Sequence, residues 1–103
     1  MATFLMLSTL GPEGMATLRE NPARLKEVNA EVESLGVRVV AQWAVMGPYD
    51  FATVLDAPDA LAIARVTLML GARGTLKTQT LAAIPIDDYI AAVGEQRSAS
   101  NGL

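Results

Sequence analysis

A chain of 103 residues, 51% hydrophobic and 18% charged, carries a net charge of −3 at pH 7 and has neither cysteine nor histidine. It has material for one core, and the missing side chains exclude a Ser-His triad, thiolate chemistry, disulfides, and haem or zinc held through His or Cys. The eight Lys and Arg are scattered singly, which leaves no basic footprint for nucleic acid. No basic leader precedes the first apolar run and no stretch is long enough to span a bilayer, so the chain reads as a cytoplasmic protein without a membrane partner.

The elements follow in chain order. Thr3 to Thr9 is a short apolar run bounded by Gly11-Pro12 and Gly14, and it predicts a first strand. Leu25, Val28, Val32 and Leu35 recur at helical spacing with Lys26, Glu27, Glu31 and Glu33 on other faces; Asn21 is the expected cap, Pro22 the first turn and Gly36 the stop. Met15 to Glu20 continues the apolar spacing, but Pro22 lacks an N–H, so this piece reads as a separate turn of helix or a kinked entry. Val37 to Met46 and Phe51 to Leu55 are rich in β-branched and aromatic residues and are joined by Gly47-Pro48-Tyr49-Asp50, the signature of a hairpin. Asp56-Ala57-Pro58-Asp59 carries helix-start signals. Ala60 to Leu70 is built of helix formers, with Gly71 and Gly74 as the expected stop. Thr75 to Leu81 alternates as a fourth strand, Asp87-Asp88-Tyr89-Ile90 begins a short C-terminal helix, and the polar residues after it read as a tail.

The order β-α-β-β-α-β predicts an α+β, ferredoxin-like domain over residues 1–94. Two helices cover one face of a four-stranded antiparallel sheet, and residues 95–103 form a flexible tail. Simple alternation along the second strand puts Val39, Trp43 and Val45 on one face and Val40, Ala44 and Met46 on the other. Both faces are then apolar, which predicts that the helix-free face is buried against another copy, as a dimer or higher homo-oligomer.

Trp43-Ala-Val-Met-Gly47-Pro48-Tyr49-Asp50 is followed by a strand, by Ala57-Pro58-Asp59 at a helix start and by Gly74-Thr75-Leu76-Lys77-Thr78-Gln79-Thr80-Leu81. This succession resembles the GYD-domain family over about Thr3 to Ala83. Gly47, Tyr49 and Asp50 match the family's signature and Pro48 takes its variable place. Members are similar to dimeric α/β-barrel proteins in which ferredoxin-like subunits pack sheet to sheet, so the resemblance implies that fold and an oligomer, and no particular activity.

Turn chemistry accounts for most of Gly47-Pro48-Tyr49-Asp50: Gly accepts positive φ, Pro presets its own φ, and Asp accepts turn N–H bonds. A functional account adds Tyr49 as donor and Asp50 as acceptor toward a ligand hydroxyl or carbonyl, with Trp43 either in a subunit interface or flooring a cleft. Trp43, Tyr49 and Asp50 are therefore the ligand-binding candidates, and Gly47 and Pro48 the turn formers. The carboxylate pairs Asp87-Asp88, Asp56 with Asp59 and Glu31 with Glu33 do not read as a metal site, because adjacent helical residues do not face each other and Asp56 with Asp59 sits where a helix N-terminal dipole favours acids anyway. Gly71-Ala72-Arg73-Gly74 follows a helix rather than opening one, and so fails as a phosphate loop. No cofactor is expected. The first functional reading is a homo-oligomeric binding or assembly module, with a small apolar molecule near the subunit interface. The alternative is a cofactor-independent oxygenase or isomerase using Tyr49 and Asp50, which requires a pocket beside those two side chains.

Overall fold

The computed structural model describes residues 1–101, with side-chain surroundings given for residues 1–97. Eight elements follow one another: β1 (Ala2–Leu10), α1 (Pro12–Glu20), α2 (Arg24–Ser34), β2 (Arg38–Ala44), β3 (Phe51–Ala57), α3 (Ala60–Ala72), β4 (Leu76–Ala83) and α4 (Ile86–Asn101). The strands form one antiparallel sheet in the order β2-β3-β1-β4, so the chain is α+β.

Strand alternation decides which side chains enter the core. On β1 and β3 the inward residues are Phe4, Met6, Ser8 and Phe51, Thr53, Leu55, Ala57, all buried. Of these, Phe4, Met6, Leu55 and Ala57 form the core with Val32 of α2 and Ala62, Ile63, Val66 and Leu70 of α3. Leu55, Val37 and Val66 are the largest side chains wholly withdrawn from water, each stabilising the fold by about 1.5–3 kcal/mol. Ala62 donates its N–H to Asp59 Oδ1 at 2.9 Å, so Asp59 caps α3 as its position suggests.

Several expectations need correction. Three helices, not two, pack on the covered face, because the segment before Pro22 forms a helix of its own. Asn21 closes α1, donating its N–H to Thr17 O at 2.9 Å, and does not cap α2, whose N-cap is Ala23. Gly71 lies inside α3, and the turn falls to Gly74 at φ +72°. β2 ends at Ala44, so the hairpin connection is longer than four residues. A bulge between Val39 and Ala41 resets the strand's alternation: Val39, Gln42 and Ala44 pair with the inward Leu55, Thr53 and Phe51, while Ala41 and Trp43 lie on the helix-free face. Val39 and Trp43 are thus on opposite faces, because one extra residue shifts every later side chain.

The C-terminal helix is not short. α4 has 16 residues, and every one from Ile86 to Arg97 is exposed. The radius of gyration is 16.9 Å and the long axis 62 Å, against about 13 Å expected for a compact chain of this length; α4 stands off the sheet as an arm. Gly102 and Leu103, the end of the expected tail, lie outside the described residues. Among the described residues no helix is long and apolar enough to cross a membrane.

Gly14 of α1 packs tightly against Thr75, the residue before β4, and Leu10 of β1. A Cβ there would lie 2.6 Å from Thr75 O and 3.1 Å from Leu10 Cδ2, and the neighbouring Gly11 N–H donates to the same carbonyl at 2.9 Å. Gly14→Ala is expected to lower stability by about 1–3 kcal/mol through overpacking, seen as a lower urea midpoint; an unchanged midpoint would mean that α1 lifts away freely.

Candidate functional site

The loop between β2 and β3 is built around Asp50. Its carboxylate Oδ2 accepts the Leu10 N–H at 2.7 Å, its N–H donates to Ser8 O at 2.8 Å, and its carbonyl accepts the Val45 N–H at 2.9 Å. Gly47, at φ +113°, lets the chain double back so that these three bonds form together. Asp50 therefore serves an N–H forty positions away in sequence, at the end of β1, rather than one in its own turn. Tyr49 Oη donates to Gln79 Oε1 at 2.5 Å. Gln79 pairs with Leu7 and so belongs to the helix-free face, where Trp43, opposite Ala52, is 54% exposed.

A cavity of about 310 Å³ opens on the other side of the sheet, between its inward face and α1, α2 and α3. Trp43, Tyr49 and Asp50 are absent from its wall. The cavity carries a polar line of its own: Asn29 Nδ2 donates to Gln42 Oε1 at 2.8 Å, and Gln42 Nε2 donates to Thr53 Oγ1 at 3.2 Å. Ser8, buried like Thr53, lies beside them on β1. The charged groups in the wall are Arg24 and Arg73. No carboxylate, phenol or amine lines it, so nothing there exchanges a proton near neutral pH. This cavity does not adjoin Tyr49 and Asp50, the pair on which the oxygenase or isomerase reading rests.

Glu31 holds the two arginines in place. Arg24 Nη1 lies 3.3 Å from Glu31 Oε1 and 3.2 Å from Glu27 Oε2, and Arg73, at the end of α3, pairs with Glu31 Oε2. The Arg73 guanidinium, bonded to the Glu31 carboxylate and helped by Arg24, holds that carboxyl below the ordinary range against the opposing effect of desolvation. The bonds to Glu27 and Glu31 correspondingly push Arg24 up.

Sequence reasoning missed Arg24, Asn29, Gln42, Thr53 and Arg73. Asn29 was legible, since it lies four residues after Leu25 on the apolar side of α2. Gln42 was not, because only the bulge turns it inward.

A family model described as the GYD domain matches residues 4–93. The chain belongs to the GYD-domain family. A relative from Thermus thermophilus, named glutamine synthetase and cystathionine beta-lyase binding protein, is 58% identical over 92 residues, which is 88% of this chain and 97% of that protein. The crystal structure of TTHA0845, also from Thermus thermophilus, superposes with a TM-score of 0.54 at 22% identity over 82% of this chain and 95% of that one. At that identity the likeness speaks for the fold alone.

The bonds around the loop and the ion cluster each have a measurable consequence. Asp50→Ala is expected to cost about 1–3 kcal/mol, because the Leu10 N–H loses its partner, and Tyr49→Phe about 0.5–1.5 kcal/mol; denaturant unfolding checks both, and an Asp50→Ala loss below about 0.5 kcal/mol would contradict the Asp50 clamp. Glu31 contributes stability that is present above the carboxylate's unfolded pKa and lost as pH falls through its lowered folded pKa. Glu31→Gln should therefore be less stable than wild type at pH 7, with the gap closing below about pH 4, as thermal melts across pH would show.

Proposed function

We propose that this GYD-domain protein is a docking module that binds glutamine synthetase and cystathionine beta-lyase, and that it works as a homo-oligomer of ferredoxin-like subunits paired sheet to sheet. The sheet order β2-β3-β1-β4, with α2 crossing from β1 to β2 and α3 from β3 to β4, supports the ferredoxin-like reading. The relative, 58% identical over nearly its whole length and named for binding those two enzymes, supports the choice of partners. The observation that carries the proposal is the distribution of exposed apolar side chains over two surfaces.

The first surface is the helix-free sheet face. Leu5, Leu7 and Val54 are only partly covered there, and Trp43 and Leu81 are exposed. A broad apolar sheet face is self-complementary about a two-fold axis, so a second copy covers it. The second surface is α4. Ile86, Tyr89, Ile90 and Val93, all exposed, recur at the spacing of a single helical stripe. A stripe on an arm about 24 Å long suits insertion into a groove of a larger partner. The cytoplasmic location expected from the sequence goes with this reading.

Separate variants test the two surfaces. Wild type should sediment as a dimer or larger, and Leu81→Glu should drive it toward monomer. Ile90→Asp should keep the oligomer and weaken binding to purified glutamine synthetase at least about tenfold, the scale of a hot-spot residue. A monomeric wild type would contradict the first assignment, and unchanged glutamine synthetase binding by Ile90→Asp the second.

A further inference from the structure

We propose that the cavity between the sheet and α1, α2 and α3 binds a small monocarboxylic acid with an apolar body, its carboxylate held by Arg24 and Arg73. This site is separate from both docking surfaces and does not depend on the protein partners.

The volume, about 310 Å³, falls at the lower end of the range for small-molecule pockets, so the occupant is small. Most of the wall is apolar: Leu18, Leu25 and Val28 face it from α1 and α2, and Val66 and Leu70 from α3. Its charged groups are of one sign, and both are arginines. Arg24 and Arg73 remain partly open to solvent, each side chain at 35%, and together with the exposed Thr17 they mark the mouth.

Glu31, which is not in the wall, ties both guanidiniums from behind. Arg24 Nη1 also bonds Glu27, but a guanidinium has five N–H donors in a fixed fork, so these carboxylates position the two arginines while leaving donors for a ligand. A carboxylate there gains charge-assisted bonds that an uncharged head lacks. Deeper in, Thr53 Oγ1 accepts from Gln42 Nε2 at 3.2 Å and keeps its own proton to donate, so the floor accommodates one neutral acceptor on the ligand's body. Guanidinium N–H donors at the mouth, apolar walls and a weakly polar floor select an amphiphile with its anion outward.

Octanoate is the probe, octan-1-ol its uncharged counterpart, and amide NMR shifts of the full-length protein are the readout. Octanoate should shift the amides of Val28, Thr53 and Leu70 saturably, and octan-1-ol should bind at least about tenfold more weakly. Arg73→Gln should weaken octanoate about tenfold and leave octan-1-ol unchanged. Three results on the wild-type protein would each overturn the proposal: no shifts up to about 5 mM, shifts confined to the Trp43 face or α4, or equal affinity for acid and alcohol.

Discussion

The helix-free face of the sheet carries an apolar centre of Leu5, Leu7, Trp43, Ala52, Val54 and Leu81 with Asp56, Lys77 and Gln79 around it, and the described helices cover only the opposite face. That imbalance organises the rest of the molecule. On the covered side, the even-numbered residues of β1 and the odd-numbered residues of β3 meet α2 and α3 in the core. On the other side Leu5, Leu7, Ala52 and Val54 stay partly open, with Trp43 and Leu81 more so. Water contact with such a face is unfavourable in proportion to its apolar area. The free energy that a second copy would recover by covering it is therefore available before any particular contact is specified.

The loop that carries the family signature belongs to this arrangement as a fastener. Asp50 ties the start of β3 to the end of β1 through bonds to Leu10 N–H and Ser8 O, and Tyr49 reaches across to Gln79 on β4. A Gly, a Tyr and an Asp in this order thus hold three strands in register from one side. The cavity lies on the opposite side, and its wall comes from residues that carry no signature.

Much of the fold was legible because periodicity reports burial directly. Leu25, Val28, Val32 and Leu35 announced α2, and the turn residues around Tyr49 announced the hairpin. What escaped depended on contacts distant in sequence. The bulge at Val39/Ala41 leaves no composition signal, yet it decides that Gln42 points inward and Trp43 outward. Arg73 was read only as part of a failed phosphate loop, because its meaning comes from Glu31, 42 positions earlier on another helix. The length of α4 was missed because its polar second half resembles a tail, and local propensity does not say whether an unpacked helix continues. Tyr49 and Asp50 were identified as the notable pair, but their partners lie thirty and forty positions away and turn them into structural bonds of the sheet.

The central claim is that the helix-free face is closed by a second copy, and the chain has a reporter on it: Trp43, its sole tryptophan, which the single subunit leaves 54% exposed. Tryptophan emission followed over a dilution series reads its environment directly. The expected result is blue-shifted emission, poorly quenched by acrylamide, at micromolar concentration, changing to that of a solvated indole in one transition as the assembly dissociates. Emission of a solvated indole at every concentration, from a folded protein, would contradict it.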